Sequence, residues 1–290
     1  MKLDILAILM GVCFSFMWSS AFATARIIVA DAAPMHALAL RFLISGLVAV
    51  ALARGLGQTW HLTRAQWRAT AIFGLCQNCI YLGLNFVAMQ TVEASLASII
   101  ASTMPLLVAA LGWLVLGTKV RPLGMIGLFA GLIGVSVIMG ARVSGGVDLT
   151  GVGLCGIGAL ALAVATLTLR EATSGGNLLM VVGLQMLVGA GLLGLAAVLF
   201  EVPHVALSGL LIVAFIYQMF VPGLLATMIW FALVGRIGAV RASSFHFLNP
   251  FFGVATAALL LGEAIRPLDM VGVAVIMMGI LAVQISKARG

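Results

Sequence analysis

Long apolar runs follow one another along almost the whole chain, and they restrict its fold more than any other feature. A helix of about 20 apolar residues, rising about 1.5 Å per residue, matches a hydrocarbon core about 30 Å thick. Charged or turn-forming residues separate ten such runs. The sequence therefore predicts an all-α integral membrane protein, with transmembrane helices at residues 5–29, 34–53, 69–89, 94–116, 123–139, 151–169, 178–200, 208–234, 239–261 and 268–285.

The composition indicates that lipid, not water, is the main solvent. Only 8% of the residues are charged and the mean hydropathy is +1.26, whereas soluble domains carry about 25% charged residues. The net charge of +7 comes from Lys and Arg scattered singly between apolar runs. Because nucleic-acid binding requires a basic patch or stripe, we predict a lipid bilayer and no nucleic acid as partner.

The distribution of basic residues predicts the orientation. If the N-terminus is cytoplasmic, eleven of the fifteen Lys and Arg lie on the cytoplasmic side. Arg26, Arg142 and Arg266 then lie on the outer side, and Arg41 lies within a span. Basic residues in short loops resist translocation. Both termini are therefore predicted to be cytoplasmic, in a multi-pass protein of a bacterial-type inner (plasma) membrane.

The cysteines and the first apolar run each allow a second interpretation. Cys76 and Cys79 have the spacing of a metal or redox motif, but they lie within a span and lack a second pair, so we interpret them as packing residues. Residues 5–29 resemble a signal peptide, but the run is too long and the preceding residues carry no net charge. We predict a retained first span, and no cofactor or metal.

An internal repeat divides the chain. Residues 116–125, which begin with Leu-Gly and contain Arg-Pro, align with residues 261–270, and the same separation, here called the repeat offset, pairs Pro105 with Pro250. We predict two related halves of five spans, one in residues 1–145 and one in residues 146–290. Because five is an odd number, consecutive copies must enter the membrane from opposite sides, which is the arrangement of inverted-repeat transporters.

The repeated motif, a mid-span proline followed by Leu-Gly and an Arg-Pro helix start, resembles the EamA-type drug/metabolite transporter superfamily. So do residues 18–20 (Trp-Ser-Ser) and residues 39–42 (Ala-Leu-Arg-Phe). The resemblance covers nearly the whole chain and is closest to the aromatic amino-acid exporter group. It implies ten helices in two inverted EamA-like repeats around a central cavity, with alternating access. The family's Leu-Gly-Glu is intact at Glu263 but has Thr118 in the first copy, which argues against a symmetric role for this Glu.

Polar side chains near mid-span are costly in lipid unless they face a cavity or another helix. Counting inward from the span ends places seven candidates for substrate contact at similar depth: Trp18, Ser19, Asn78, Tyr81, Gln218, His246 and Asn249. The alternative for each is ordinary bonding between packed helices. His246 can gain a proton near physiological pH, so proton antiport and simple exchange both remain open.

Five further residues are predicted to have gating or structural roles: Arg41, Pro105, Pro222, Pro250 and Glu263. Arg41 lies about two turns inside its span, where it could bind a carboxylate-bearing solute, pair with Glu263 or Glu93, or extend to the outer surface. Prolines remove backbone hydrogen bonds, which permits either a moving gate or a fixed kink at three mid-span positions: Pro105, Pro222 and Pro250.

These features together predict a secondary transporter that exports small organic metabolites, as a monomer or homodimer. The resemblance implies that the metabolites are amino acids, aromatic or other neutral. The sequence contains no Walker A, H-E-x-x-H or facing aspartate motif, so we predict no enzymatic activity. An integral-membrane enzyme and a non-transporting membrane subunit are the alternatives.

Overall fold

The computed structural model describes residues 4–115, 117, 121–172, 177–237, 242 and 244–288. Within these residues the regular secondary structure is helical, apart from one isolated antiparallel bridge between Ala32 and Val205, and turns or irregular segments connect the helices. Nine helices in this part are long and apolar enough to cross a membrane, which confirms the all-α membrane fold: Ile5–Asp31, Pro34–Gly55, Arg64–Ala88, Ala94–Leu114, Pro122–Val143, Leu149–Leu167, Leu178–Phe200, Gly209–Trp230 and Pro267–Ser286.

The count of ten spans stays a prediction. A shorter apolar helix, Phe245–Leu261, occupies the described part of the predicted ninth span. The rest of that span, residues 239–241 and 243, lies outside the described residues.

Several spans consist of consecutive helical segments. In chain order the elements are α1 (Ile5–Asp31), α2 (Pro34–Gly55), α3 (Arg64–Phe73), the π-helix π1 (Gly74–Leu82), α4 (Gly83–Ala88), α5 (Ala94–Ser102), α6 (Met104–Leu114), α7 (Pro122–Ser144), α8 (Leu149–Ala172), α9 (Leu178–Phe200), α10 (Gly209–Gln218), the π-helix π2 (Met219–Leu225), α11 (Ala226–Ile237), a 3₁₀ segment (Ser244–Leu248), α12 (Asn249–Leu261) and α13 (Pro267–Ala288).

The interruptions recur at the repeat offset. It separates Gly74 from Met219, the first residues of π1 and π2. It also separates Thr103, which lies between α5 and α6, from Leu248, which lies between the 3₁₀ segment and α12. The two repeat-related prolines lie in the first turns of the new helices, where a missing N–H costs little. The predicted mid-span interruption at Pro105 and Pro250 is therefore present, whereas Pro222 lies inside π2.

The Leu-Gly motif places a glycine at the same backbone conformation in each half. Gly117 has φ of 63° and Gly262 has φ of 68°, in the left-handed region that only glycine adopts without strain. Gly262 ends α12 in this conformation. In the first half α6 ends at Leu114 with Val115 as its C-cap, so the helix-stop role is shown for Gly262 alone.

Two predicted boundaries were wrong. The third span begins at Arg64, not residue 69, because Thr63 and Gln66 form a reciprocal capping box in which each side chain accepts from the other's backbone N–H. α7 continues to Ser144, not residue 139. Arg142 was predicted in an outer loop, but it lies in the last turn of α7, and its side chain is buried.

Contacts divide the chain into two compact units, each containing segments of both predicted halves. The first comprises Met1–Ala23, Thr91–Val152 and Leu225–Gly290. Within it α7 packs along α13: Gly127 faces Gly279, and Gly134 faces Gly272. The partner number falls as the α7 number rises, so the two helices are antiparallel.

The second unit comprises Thr24–Gln90 and Gly153–Leu224. Within it α2 packs along α9, with Gly46 against Leu187 and Val50 against Gly183. These two helices are antiparallel by the same criterion. Helices that correspond in the two halves of the sequence therefore pair in opposite directions within each unit.

Replacing Gly127 with Ala should destabilise the protein by about 1–3 kcal/mol, the usual cost of overpacking. An added Cβ would lie 2.6 Å from the Gly279 carbonyl oxygen, a backbone atom that cannot yield without moving α13. Gly140→Ala on the same helix is the matched control, because a Cβ there meets open space. Detergent-driven unfolding followed by circular dichroism measures both variants, and equal destabilisation would contradict the close-packing argument.

Candidate functional site

In the first unit, His246 is enclosed by aromatic rings. The imidazole is 6% exposed. Its ring centroid is 5.0 Å from that of Trp230, 5.4 Å from that of Phe14 and 6.1 Å from that of Trp18, all in edge-to-face geometry. Aromatic faces carry partial negative charge and attract a cation. This aromatic cluster, Phe14, Trp18 and Trp230, therefore suits a ring-bearing or cationic group.

An amide and two serines complete the polar part of this group. Asn249 donates from its amide nitrogen to Nδ1 of His246 at 2.8 Å, while its Oδ1 is buried and has no hydrogen-bond partner among the described residues. Ser19 donates to the Asn249 carbonyl at 3.2 Å, and Ser15 donates to the Phe245 carbonyl at 2.9 Å. The serines thus hold the helix break against α1, and Asn249 retains one free acceptor.

The structure brings together four of the predicted contact residues here: Trp18, Ser19, His246 and Asn249. The sequence analysis missed Phe14 and Ser15. They lie one helical turn before Trp18 and Ser19, so the four share one face of α1, and that spacing would have identified them.

In the second unit, Arg41 is buried without a carboxylate partner. Its side chain is 6% exposed and donates to Oε1 of Gln218, which in turn donates to Thr24 Oγ1 at 3.1 Å. The guanidinium carbon lies 4.6 Å from the ring centroid of Phe42 and 5.9 Å from that of Phe86. No acidic side chain among the described residues pairs with it. The prediction that Arg41 extends to the outer surface is therefore wrong.

Asn78 and Tyr81 lie in π1. Asn78 donates to the Gln185 carbonyl at 2.9 Å and to Gln185 Oε1 at 3.2 Å. Tyr81 is buried, and its carbonyl accepts from the amide of Asn85, whose own Oδ1 has no partner in the described structure. Asn78, Tyr81 and Asn85 follow helical spacing, and this period would have revealed Asn85.

Arg41 is the eighth residue of α2 and Gln185 is the eighth residue of α9, the second helices of the two halves, and their contacts also correspond. Arg41 on α2 bonds Gln218, the residue before π2, whereas Gln185 on α9 bonds Asn78 within π1. Each therefore joins the second helix of one half to the π-helical span of the other half.

The predicted partners of Arg41 have other contacts in the first unit. Glu263 accepts from the backbone N–H groups of Ala94 at 2.7 Å and Ser95 at 3.0 Å, so it caps the N-terminus of α5. Glu93 pairs with Arg142 and, at 3.4 Å, with Arg266. The predicted Arg41 pairing with either glutamate is thus replaced by Gln218. Thr118, the first-copy counterpart of Glu263, lies outside the described residues.

The second unit also contains a cavity of about 460 Å³ at one end of α2 and α10. Its walls are mostly apolar, with Leu40, Leu211 and Phe215 among them, and His36 and His204 are their only histidines. None of the seven predicted contact residues lines it. Among the described residues, no group of three or more His, Cys, Asp or Glu side chains is placed to hold a metal ion.

Replacing Asn78 with Ala should lower solute flux by about tenfold while leaving membrane insertion intact. The change removes both bonds to Gln185 and leaves that side chain without its donor, a loss of about 1–3 kcal/mol. Flux into proteoliposomes and the amount of protein in the membrane fraction measure the two effects. Asn177→Ala, which removes an exposed bond to the Thr59 N–H, is the control. Full flux in Asn78→Ala would remove Asn78 from the site.

A family profile described as the EamA-like transporter family matches residues 5–140 and again residues 149–285. An uncharacterized transporter of Bacillus subtilis (strain 168), YvbV, is 26% identical over 282 residues, covering 94% of this chain and 90% of its own length. A probable amino-acid metabolite efflux pump of Salmonella typhimurium (strain LT2) is 38% identical over 69 residues, 24% of this chain and 23% of that protein.

A protein of known crystal structure shares the fold. It superimposes with a TM-score of 0.70 over 98% of both chains, at 22% sequence identity. At this identity the similarity describes the fold alone.

Proposed function

The chain belongs to the EamA-like transporter family, and from that premise we propose that it is a secondary transporter that exports amino acids, aromatic or other neutral, by alternating access. Transport of a small solute through a multi-pass membrane protein follows from the family. The substrate class, the direction and the mechanism are the proposal.

The buried guanidinium of Arg41 carries the substrate assignment. A charge buried within a membrane span normally pairs with an opposite charge or faces a water-filled path. Arg41 is 6% exposed, and its one polar partner among the described residues is the neutral Gln218. A solute carboxylate would supply the missing negative charge and match the planar donors of arginine. An amino acid carries such a group at every pH of interest.

The aromatic cluster and Asn249 support the aromatic or neutral part of the assignment. Edge and face contacts around His246 suit an aromatic or branched side chain. The unpartnered Oδ1 of Asn249 can accept a hydrogen bond from an N–H group. We include Ser19, Tyr81 and Asn78 as further contact residues, and Pro105, Pro222 and Pro250 as points where the spans can bend.

Local geometry supports ten spans in two inverted repeats, at residues 1–145 and 146–290. The π-helices, the helix breaks and the left-handed glycines recur at the repeat offset. Corresponding helices of the two halves also pair antiparallel, as copies with opposite insertion would. We further propose both termini in the cytoplasm, an inner-membrane location and a monomer or homodimer as the working state.

The similarity to a probable amino-acid metabolite efflux pump supports the solute class, although it spans only 24% of this chain. Counterflow tests the proposal directly. Liposomes that contain the purified protein and are loaded with unlabelled L-phenylalanine should take up labelled L-phenylalanine faster than protein-free liposomes loaded in the same way. Uptake of unchanged label supports a transporter, chemical conversion of the label would indicate an enzyme, and the absence of both would indicate a non-transporting subunit.

A further inference from the structure

We propose that His246 is the proton carrier of this transporter, so that each exported amino acid is exchanged for one proton that enters on the imidazole. This inference rests on the proposed function and deepens it by naming the coupling ion. The group that decides between solute and proton is the Oδ1 atom of Asn249.

Few groups in the sequence are able to carry a proton through mid-membrane near neutral pH. All eight Asp and Glu residues lie at or beyond the ends of the predicted spans. His36, His61 and His204 also lie at span ends or in loops, whereas His246 lies within the predicted ninth span. Imidazole is the side chain whose charge changes most readily between pH 5 and 8. His246 is therefore the natural candidate if transport is driven by protons.

The Asn249 amide can serve both protonation states. In the observed state its nitrogen donates to Nδ1 of His246 at 2.8 Å, so the neutral ring carries its proton on Nε2. When a proton binds Nδ1, a new N–H bond forms there and the ring becomes a donor at both nitrogens. Rotation of the amide then brings Oδ1 to accept from Nδ1. In the observed orientation the amide oxygen has no partner, and after rotation the amide nitrogen has none. The rotation therefore leaves the number of hydrogen bonds nearly unchanged.

The same atom explains why proton and solute exclude each other. With neutral His246, Oδ1 of Asn249 is buried and unpartnered among the described residues, and it is available to an N–H group of the solute. With protonated His246, that oxygen is used by the ring. A site with one shared acceptor binds one of the two at a time, and such competition is the requirement for antiport.

The described groups in contact with His246 are three aromatic rings and the Asn249 amide. Phe14, Trp18 and Trp230 lie edge-to-face with the imidazole, with ring centroids between 5.0 and 6.1 Å away. The charged groups of the elements packed around it are engaged elsewhere: Asp4 of the N-terminal segment pairs with Arg236 of α11, and Asp269 of α13 pairs with Arg142 of α7. Cys13 on α1 is exposed. The proton therefore has no competing acceptor among the described contacts of the ring.

Two assays in proteoliposomes test the proton assignment and the proposed amino-acid transport separately. Counterflow of L-phenylalanine at equal pH tests transport, and accumulation driven by an imposed pH difference of about one unit tests coupling. Because this exchange moves one charge per cycle, the membrane potential is held at zero, and one-for-one exchange can then sustain at most about tenfold accumulation. We expect wild type to show both activities. His246→Gln should show reduced but measurable counterflow and no accumulation. His36→Gln, which removes a histidine that bonds Glu201 at an end of α2, should accumulate like wild type.

A second variant keeps the proton assignment testable if His246→Gln misfolds. Asn249→Asp places a negative charge beside the ring and should move the pH at half-maximal accumulation upward by about 1–3 units. An unmoved profile would contradict the shared-acceptor mechanism. Wild-type counterflow without any response to the pH difference, or accumulation by His246→Gln, would overturn the proton assignment and leave amino-acid transport standing. No wild-type counterflow at all would overturn both.

Discussion

Replacing Arg41 with Gln is expected to lower transport of free amino acids by roughly 30-fold or more. The variant keeps a polar group of similar length beside Gln218 but removes the charge that a solute carboxylate would need. Truncating one partner of a buried, hydrogen-bonded charge pair costs about 2–5 kcal/mol, and about 1.4 kcal/mol corresponds to tenfold in affinity. Arg41→Lys should retain only part of the activity, because an ammonium lacks the planar fork of donors.

Paired substrates make this expectation specific. Counterflow of L-phenylalanine should fall sharply in Arg41→Gln, whereas counterflow of phenylalanine amide, which lacks the carboxylate, should be low in wild type and change little. Arg54→Gln is the matched control on the same helix, since Arg54 lies at the end of α2 with its guanidinium over the Trp60 ring at 5.1 Å. A similar loss for both substrates would assign Arg41 to packing and not to solute recognition.

The helical plan could be predicted because lipid imposes it. In a bilayer every span must satisfy its backbone internally and match the membrane thickness, so apolar length alone located the described spans to within a few residues. The errors arose at helix ends. Thr63 and Gln66 extend the third span through side-chain capping, and a hydropathy average over a long window does not detect such a local signal. The last turn of α7 contains Arg142, whose side chain is buried.

The orientation of side chains around each helix could be predicted less well. α1 is apolar on nearly every side, so periodicity cannot show which face meets the protein. Depth selected Trp18, Ser19, His246 and Asn249, which lie together in the structure. Phe14 and Ser15 could have been added only by also using the one-turn spacing from Trp18 and Ser19. The π-helices were beyond the reach of sequence reasoning, because their extra residue per turn depends on contacts between spans.

Glu263 shows how a conspicuous motif residue can have a structural role. Its carboxylate caps α5, and the glycine before it ends α12 in the left-handed conformation. Leu-Gly-Glu therefore ends one helix and holds the start of another. The first copy keeps a glycine with positive φ at Gly117.

Replacing Asp269 with Leu should destabilise the folded protein by about 3–5 kcal/mol, the cost of breaking a buried ion pair. Asp269 and Arg142 are each about 2% exposed at the side chain, and Arg142 donates to both carboxylate oxygens, at 2.6 and 3.3 Å. The variant leaves the guanidinium with only Glu93 and, at 3.5 Å, Ser95 among the described residues. Unfolding in mixed detergent micelles, followed by tryptophan fluorescence, measures the loss.

A double-mutant cycle distinguishes ion pairing from simple loss of packing. Arg142→Met should be at least as damaging as Asp269→Leu, because it removes the ion-pair partner of Asp269, whereas Asp269→Leu leaves Arg142 paired with Glu93. The double variant should lose much less than the sum, because an apolar pair carries no uncompensated charge. The exposed pair of Arg236 and Asp4, 2.7 Å apart, is the control. The hydrogen bond from Arg236 lowers the pKa of Asp4, so this pair is also ionised at neutral pH. Its disruption should nevertheless change stability little, since water screens exposed charges. Additive losses at Arg142 and Asp269 would show that the two charges do not hold α7 to α13 as a pair.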